Sequence, residues 1–242
     1  MSTLRIPARF NGPPTTANGG YAAGRLAAHL PAAAAAAGVS VRLRRPPALD
    51  RDLTVAVDGG TAELRDGEDL VATATAMPLD LAVPDLPSLE EARAAASAAD
   101  RTRPGHPFPS CFGCGPDRDR DEAVAALLAA VPGRQDGLWA CTWTPPDGLP
   151  HHADGTLEDA IVWVALDCPS AQPVAPDGGA PHVLGTLTAR LDHPVRVGVE
   201  HLLLAWPLGR DGRKAHSAAA VVAPDGTICA RSRALWIALP SG

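Results

Sequence analysis

The sequence predicts an α+β fold in which one unit is written twice, a short buried helix followed by an antiparallel meander of about four strands. Three observations predict it. Apolar residues cluster at helical spacing in two short segments, period-two alternation follows each segment, and Gly-bearing turns separate the alternating runs. At 242 residues the chain is long for one domain and sufficient for two of roughly 100 residues each.

In the first half, the turn-rich segment from Asn11 to Gly20 ends in a helix start. Asn18 suits the N-cap, because its side chain accepts a bond from an orphan amide of the first turn. Tyr21 to Leu30 then reads as a helix with Tyr21, Ala22, Ala23, Leu26, Ala27 and Leu30 apolar, and Pro31 stops it. Val39, Val41 and Leu43 open the alternating stretch of residues 39–77, with turns at Asp58-Gly59-Gly60 and Asp66-Gly67.

Residues 88–136 interrupt the alternation. They contain a helical Ser88–Ala99, a Pro- and Cys-bearing loop, and a second short helix expected around Asp121–Ala130. The segment is expected to be a connector without a core of its own.

The unit then recurs. A strand at Leu138–Thr144 leads through a loop to a helix expected to open at Thr156, with Asp159 in capping-box position. Ile161 to Leu166 is unbroken apolar sequence, and Pro169 is expected beyond the helix end. Strands follow at about 183–192, 197–208, 213–223 and 227–239, joined across Asp211-Gly212 and Asp225-Gly226. A long sheet wrapped around one apolar helix is the hotdog architecture. Two copies with joined sheets make a double hotdog, with residues 1–87 and 137–242 as its halves.

Composition narrows the partners. The chain is 46% hydrophobic but only 4% aromatic, so small and β-branched side chains must build its interior. The net charge of −6, with no long basic block, argues against nucleic acid and against an anionic membrane surface. No signal peptide is legible at the start, and the uncharged run between Arg25 and Arg42 is broken by Pro31 and Gly38. A cytoplasmic location with reduced cysteines is expected.

Phe10-Asn11-Gly12-Pro13-Pro14, Asn18-Gly19-Gly20-Tyr21, the connector Pro107-Phe108-Pro109 with Cys111-x-x-Cys114-Gly115, and Trp163-x-Ala165-Leu166-Asp167-Cys168-Pro169 stand in an order that resembles thioesterase-like tandem hotdog proteins. The resemblance extends over nearly the whole chain. It implies hydrolysis of an acyl-CoA thioester, with coenzyme A present only as part of the substrate and no other cofactor. In phenylacetyl-CoA-type hotdog thioesterases a Gly-Gly pair starts the helix, its amide holds the thioester carbonyl, and an acid about two turns on comes from the other protomer. In this chain the residue seven after Gly20 is Ala27, so the first helix has the glycines without the acid. Aligning Asp167 with the acid puts Asp159-Ala160 at the glycine positions, so the second helix has the acid without the glycines. One composite site per chain is therefore expected, with Gly19, Gly20 and Asp167 catalytic and Asn18 capping the helix or orienting the carbonyl. A non-catalytic acyl-CoA-binding protein is the alternative, and a homodimer of double hotdogs stays open.

Other residues carry weaker expectations. Tyr21 and Trp163 are candidates for substrate binding beside the helices, and Arg213 and Lys214 for the coenzyme A phosphates, although sheet cations commonly face solvent. The small residues Ala22, Ala23, Gly24 and Ala27 would leave room for an acyl group beside the first helix, an idea that a filled helix face would sink. Cys111 and Cys114 with His106 make part of a zinc site. A structural site takes four ligands, however, there is no second Cys-x-x-Cys, and Cys141, Cys168 and Cys229 are dispersed. The expectation is a packed cysteine loop and no metal. His151 and His152 are expected to face solvent in a loop.

Overall fold

The computed structural model describes residues 2–97, 99, 103–175 and 179–239. Position 98 of the expected connector helix and positions 176–178 of the loop after the second helix lie outside the described residues. In chain order come β1 (Ser2–Arg5), α1 (Gly19–Ala27), the one-turn α2 (Ala32–Ala35), β2 (Val39–Leu43), β3 (Asp52–Asp58), β4 (Thr61–Asp66) and β5 (Asp69–Ala76). Then follow α3 (Leu89–Ser97), β6 (Ala129–Ala130), β7 (Trp139–Trp143), α4 (Asp159–Ala171), β8 (His182–Leu191), β9 (His201–Asp211), β10 (Lys214–Val222) and β11 (Ile228–Ala238).

The strands form one antiparallel sheet in the order β1-β3-β4-β5-β2-β8-β11-β10-β9-β7-β6. Strands from residues 2–76 occupy one side and strands from residues 129–238 the other. They meet where β2 pairs with β8, with Val41 opposite Leu187 and Val39 opposite Ala189. Alternation decides which face is buried. Leu53, Val55, Ala62 and Leu64 point inward from β3 and β4 and join one core with Leu26 of α1 and Ile161 and Leu166 of α4.

The second half of the sheet is covered on both faces. Leu203, Ala205, Ala219 and Val221 belong to the helix-side core. Their strand neighbours Leu202, Leu204, Ala218 and Ala220 pack on the opposite side with Leu79, Leu81 and Ala92. Burial on both faces explains why β9 and β10 read as nearly continuous apolar runs. The connector, expected to lack a core, thus contributes Ala92 and Val131 to a second apolar cluster, beside Leu79 and Leu81 from the end of the first half. Arg93 of α3 fastens it further by a two-pronged ion pair with Glu200, Nε to Oε1 at 3.0 Å.

Three expected boundaries shift. Residues 121–130 form no helix, because Val124, Ala126 and Leu128 are buried at every second position of an extended segment. The Gln172 side chain fixes that segment, its Nε2 donating to the Ala126 carbonyl and its Oε1 accepting from the Leu128 amide. α4 begins at Asp159 rather than Thr156, since Thr156 bridges to Arg196 and the Leu157 amide donates to the Val195 carbonyl, which keeps both residues outside the helix. The Glu158 cap forms no side-chain cap bond. Pro169 lies inside α4, which continues to Ala171. Proline removes the amide that would bond the Ala165 carbonyl, and the following Ser170 hydroxyl donates to the Asp167 carbonyl at 2.7 Å. Among the described residues no helix is long and apolar enough to cross a membrane.

Candidate active site

The site forms where α1 starts. Asn18 caps the helix as the sequence indicates, its Oδ1 accepting from the Tyr21 amide at 2.8 Å. That bond leaves the amides of Gly19 and Gly20 at the exposed end of the helix dipole. α4 crosses here, and Gly20 permits the closeness. A Cβ on Gly20 would stand 2.5 Å from Asp167 Cβ and 2.7 Å from the Trp163 carbonyl oxygen. One turn on, a Cβ on Gly24 would stand 2.8 Å from Ala160 Cα. Glycines four apart therefore form the contact stripe between the two helices.

That contact delivers Asp167 to Gly20. The Gly20 amide donates to Asp167 Oδ2 at 2.7 Å across 147 residues of sequence. Asp167 is 2% exposed, and its second oxygen, Oδ1, is buried without a hydrogen-bond partner. Burial pushes the Asp167 carboxyl up to about 7, although the Gly20 amide pulls the other way. Behind the acid the helix is braced. Ser170 Oγ accepts from the Trp236 indole at 3.0 Å, and Ser232 donates to the Leu166 carbonyl at 3.3 Å.

A cavity of about 650 Å³ opens beside this pair, within the usual range for small-molecule sites. Asn18, Gly19 and Asp167 line it together with Leu43, Leu184 and Ile237. The exposed Arg44 and Arg45 lie on the same wall, and Arg45 pairs with Asp69 at 3.0 Å. Phe108, Cys111, Cys114 and Cys168 contribute the connector side and the end of α4.

Several expected site residues are elsewhere. The Tyr21 ring stacks on Phe10 at 3.9 Å and its hydroxyl accepts from Arg25, so it is a core residue that does not line the cavity. Trp163 is 3% exposed and fills the space against Gly24. Arg213 and Lys214 belong to the hairpin between β9 and β10 and line no part of the cavity. The room expected beside α1 is filled, because Ala22 and Ala23 are 1% and 0% exposed and α4 occupies the Gly24 side. His151 and His152 are exposed, and Trp143, Trp163, Trp206 and Trp236 are core residues.

The sequence missed Leu43, Arg44 and Arg45 as cavity residues, since the end of a strand on an alternating stretch gives no sign of what lies beyond it. It also missed the meeting of the dispersed Cys168 with Cys111, their sulfurs 3.8 Å apart. Thiols from Cys114 and Cys168, with the amides of Gly113 and Cys114, hold the Cys111 thiol well below its usual range.

No protein-family model matches this sequence, and no curated protein does. Solved structures do match over nearly the whole chain. A proposed thioesterase II from Thermobifida fusca superposes with a TM-score of 0.62 at 16% identity, covering 99% of this chain and 93% of its own. A hot dog fold protein of unknown function from Alicyclobacillus acidocaldarius gives 0.61 at 16% identity, with 99% and 93% covered. The TesB protein of Mycobacterium avium subspecies paratuberculosis gives 0.60 at 12% identity, with 98% and 92% covered. By fold, this chain is a hot dog protein.

Proposed function

We propose that the chain is a double hotdog that hydrolyses an acyl-CoA thioester at one composite site, with residues 1–87 supplying the oxyanion amides, residues 137–242 the acid, and residues 88–136 connecting them. The observation that carries this reading is the 2.7 Å bond from the Gly20 amide to Asp167, at the wall of a cavity large enough for an acyl chain. The structural neighbours named as thioesterases lend weight to the reaction class.

In this mechanism the thioester carbonyl oxygen takes the Gly20 amide, with Gly19 beside it, in place of the carboxylate. Asp167 then removes a proton from water as the water oxygen attacks the carbonyl carbon. The negative charge that develops on the carbonyl oxygen meets a helix N-terminus, where unpaired amides and the dipole favour it. Collapse breaks the carbon–sulfur bond, and the Asp167 carboxyl returns its proton to the departing thiolate. Direct attack by the carboxylate, followed by hydrolysis of the anhydride, uses the same groups. The exposed Arg44 and Arg45 take the place of Arg213 and Lys214 as partners for the coenzyme A phosphates.

The second reading, acyl-CoA binding without cleavage, draws on one fact: the Gly20 bond already satisfies one carboxylate oxygen and ties two helices together. Thiol release from a panel of acyl-CoAs separates the two readings. Asp167→Asn should lower turnover by at least about 100-fold, the range of a lost general base, while acyl-CoA binding persists. Binding of acyl-CoAs with no thiol release by the wild type would establish the second reading instead.

A further inference from the structure

We propose that Cys111, Cys114 and Cys168 bind a zinc ion as three thiolates, with His106 as the fourth ligand, tying the connector to the end of α4. The three sulfurs lie within 4.8 Å of one another, although Cys168 is 54 residues beyond Cys114. Cys111 Sγ and Cys168 Sγ are 3.8 Å apart. Four ligands at the zinc–sulfur distance of about 2.3 Å place sulfurs about 3.8 Å apart at tetrahedral angles, so this edge needs no adjustment. His106 Nε2 stands 3.4 Å from Cys114 Sγ, close to a sulfur–nitrogen edge of about 3.6 Å in such a site. Coordination through Nε2 moves the ring proton to Nδ1, which now accepts from the Phe108 amide, so the ring must turn to complete the site.

The surroundings place hydrogen-bond donors at the sulfurs. The amides of Gly113 and Cys114 point at the Cys111 sulfur, and Asn18 Nδ2 lies 3.4 Å from Cys168 Sγ and 3.8 Å from Cys111 Sγ. The loop is shaped for convergence. A Cβ on Gly113 would stand 2.5 Å from Cys168 Sγ, and one on Gly115 would stand 2.3 Å from the Pro109 carbonyl oxygen. All four ligands border the cavity, which supplies an entry path. The spacing argument that excluded zinc from the sequence counted Cys-x-x-Cys pairs, whereas the fold brings the third sulfur from a helix. Binding displaces the protons still held by the thiols and fixes Cys168, the residue after Asp167, so the ion would anchor the backbone that carries the acid.

The test is zinc content of untagged protein purified from zinc-supplemented cells and dialysed against metal-free buffer. One zinc per chain is expected for the wild type. Cys111→Ser and Cys168→Ser should lower it below about one tenth, His106→Ala should weaken affinity about 10-fold or more, and Cys141→Ser and Cys229→Ser should leave it unchanged. As a measurement that needs no variant, cobalt(II) added to zinc-stripped wild type should give the near-ultraviolet thiolate charge-transfer band and the visible bands of a tetrahedral ion. Wild type without zinc and without the cobalt spectrum would overturn the proposal. So would zinc retained by Cys168→Ser, or a Cys111–Cys168 disulfide found by mass spectrometry in protein kept under reducing conditions.

Discussion

Asp167 and Gly20 are held together by backbone geometry, so the smallest additional atom at Gly20 should be felt. The groups that a new Cβ would meet there, Asp167 Cβ and the Trp163 carbonyl, are fixed to α4 and cannot swing away. Gly20→Ala must push the helices apart. An overpacking cost of about 1–3 kcal/mol is expected in urea denaturation, together with loss of most thioester turnover as the Gly20–Asp167 bond lengthens. The atoms nearest a Cβ at Gly19 belong to the Leu184 and Leu43 side chains, whose ends can re-pack, so Gly19→Ala should cost less stability than Gly20→Ala. Equal costs for the two variants would show that the helix contact is not what requires glycine at position 20. Capping chemistry marked the helix start at Asn18, whereas the pairing of Gly20 with Asp167 was legible only through the resemblance to hotdog thioesterases, which implies an acid about two turns beyond the glycine positions. Tyr21 and Trp163 were not distinguishable in this way, since an aromatic side chain beside a helix start has the same sequence signature in a core as in a binding site. Only packing against Phe10 and Gly24 decides.

Among the elements, α4 is unusual in running through Pro169, and side chains outside the helix ladder hold its last turn. Ser170 both donates to the Asp167 carbonyl and accepts from Trp236, while Gln172 holds the extended segment at Ala126 and Leu128. Ser170→Ala leaves a buried indole N–H unpaired and should cost about 1–3 kcal/mol. Trp236→Phe removes that donor along with part of the packing. In the double variant the orphaned group is gone, so the combined loss should fall short of the sum by about 1 kcal/mol. Strict additivity in the denaturation midpoints would mean that the bond contributes nothing. The hairpins were legible from Asp-Gly turns, but residues 121–130 were not. Alanine and leucine favour a helix there on propensity alone, and the extended form wins because Gln172 and a two-residue burial period supply what a helix would have to make locally.

At the scale of the molecule, the sheet is continuous from β1 to β6, and α1 and α4 share one core across the junction of β2 with β8. Neither half keeps its core closed alone: without β8, β2 becomes an open edge, and without α4 the glycine stripe of α1 faces solvent. The two halves should therefore unfold together. All five tryptophans lie beyond residue 138, and one of them, Trp163, packs against Gly24 of α1, so indole fluorescence reports the second half and its contact with α1. Leu53 is fully buried in β3, remote in sequence from every tryptophan, and Leu53→Ala should cost about 2–5 kcal/mol. If the sheet is one cooperative unit, that loss must appear undiminished in the tryptophan transition and coincide with the change in far-ultraviolet circular dichroism. A tryptophan midpoint unmoved by Leu53→Ala, with a separate earlier loss of ellipticity, would mean that the halves fold independently. In that case a site shared between Gly20 and Asp167 would depend on docking two separately stable units, and acyl-CoA turnover would vanish at the first transition while the second half stayed folded.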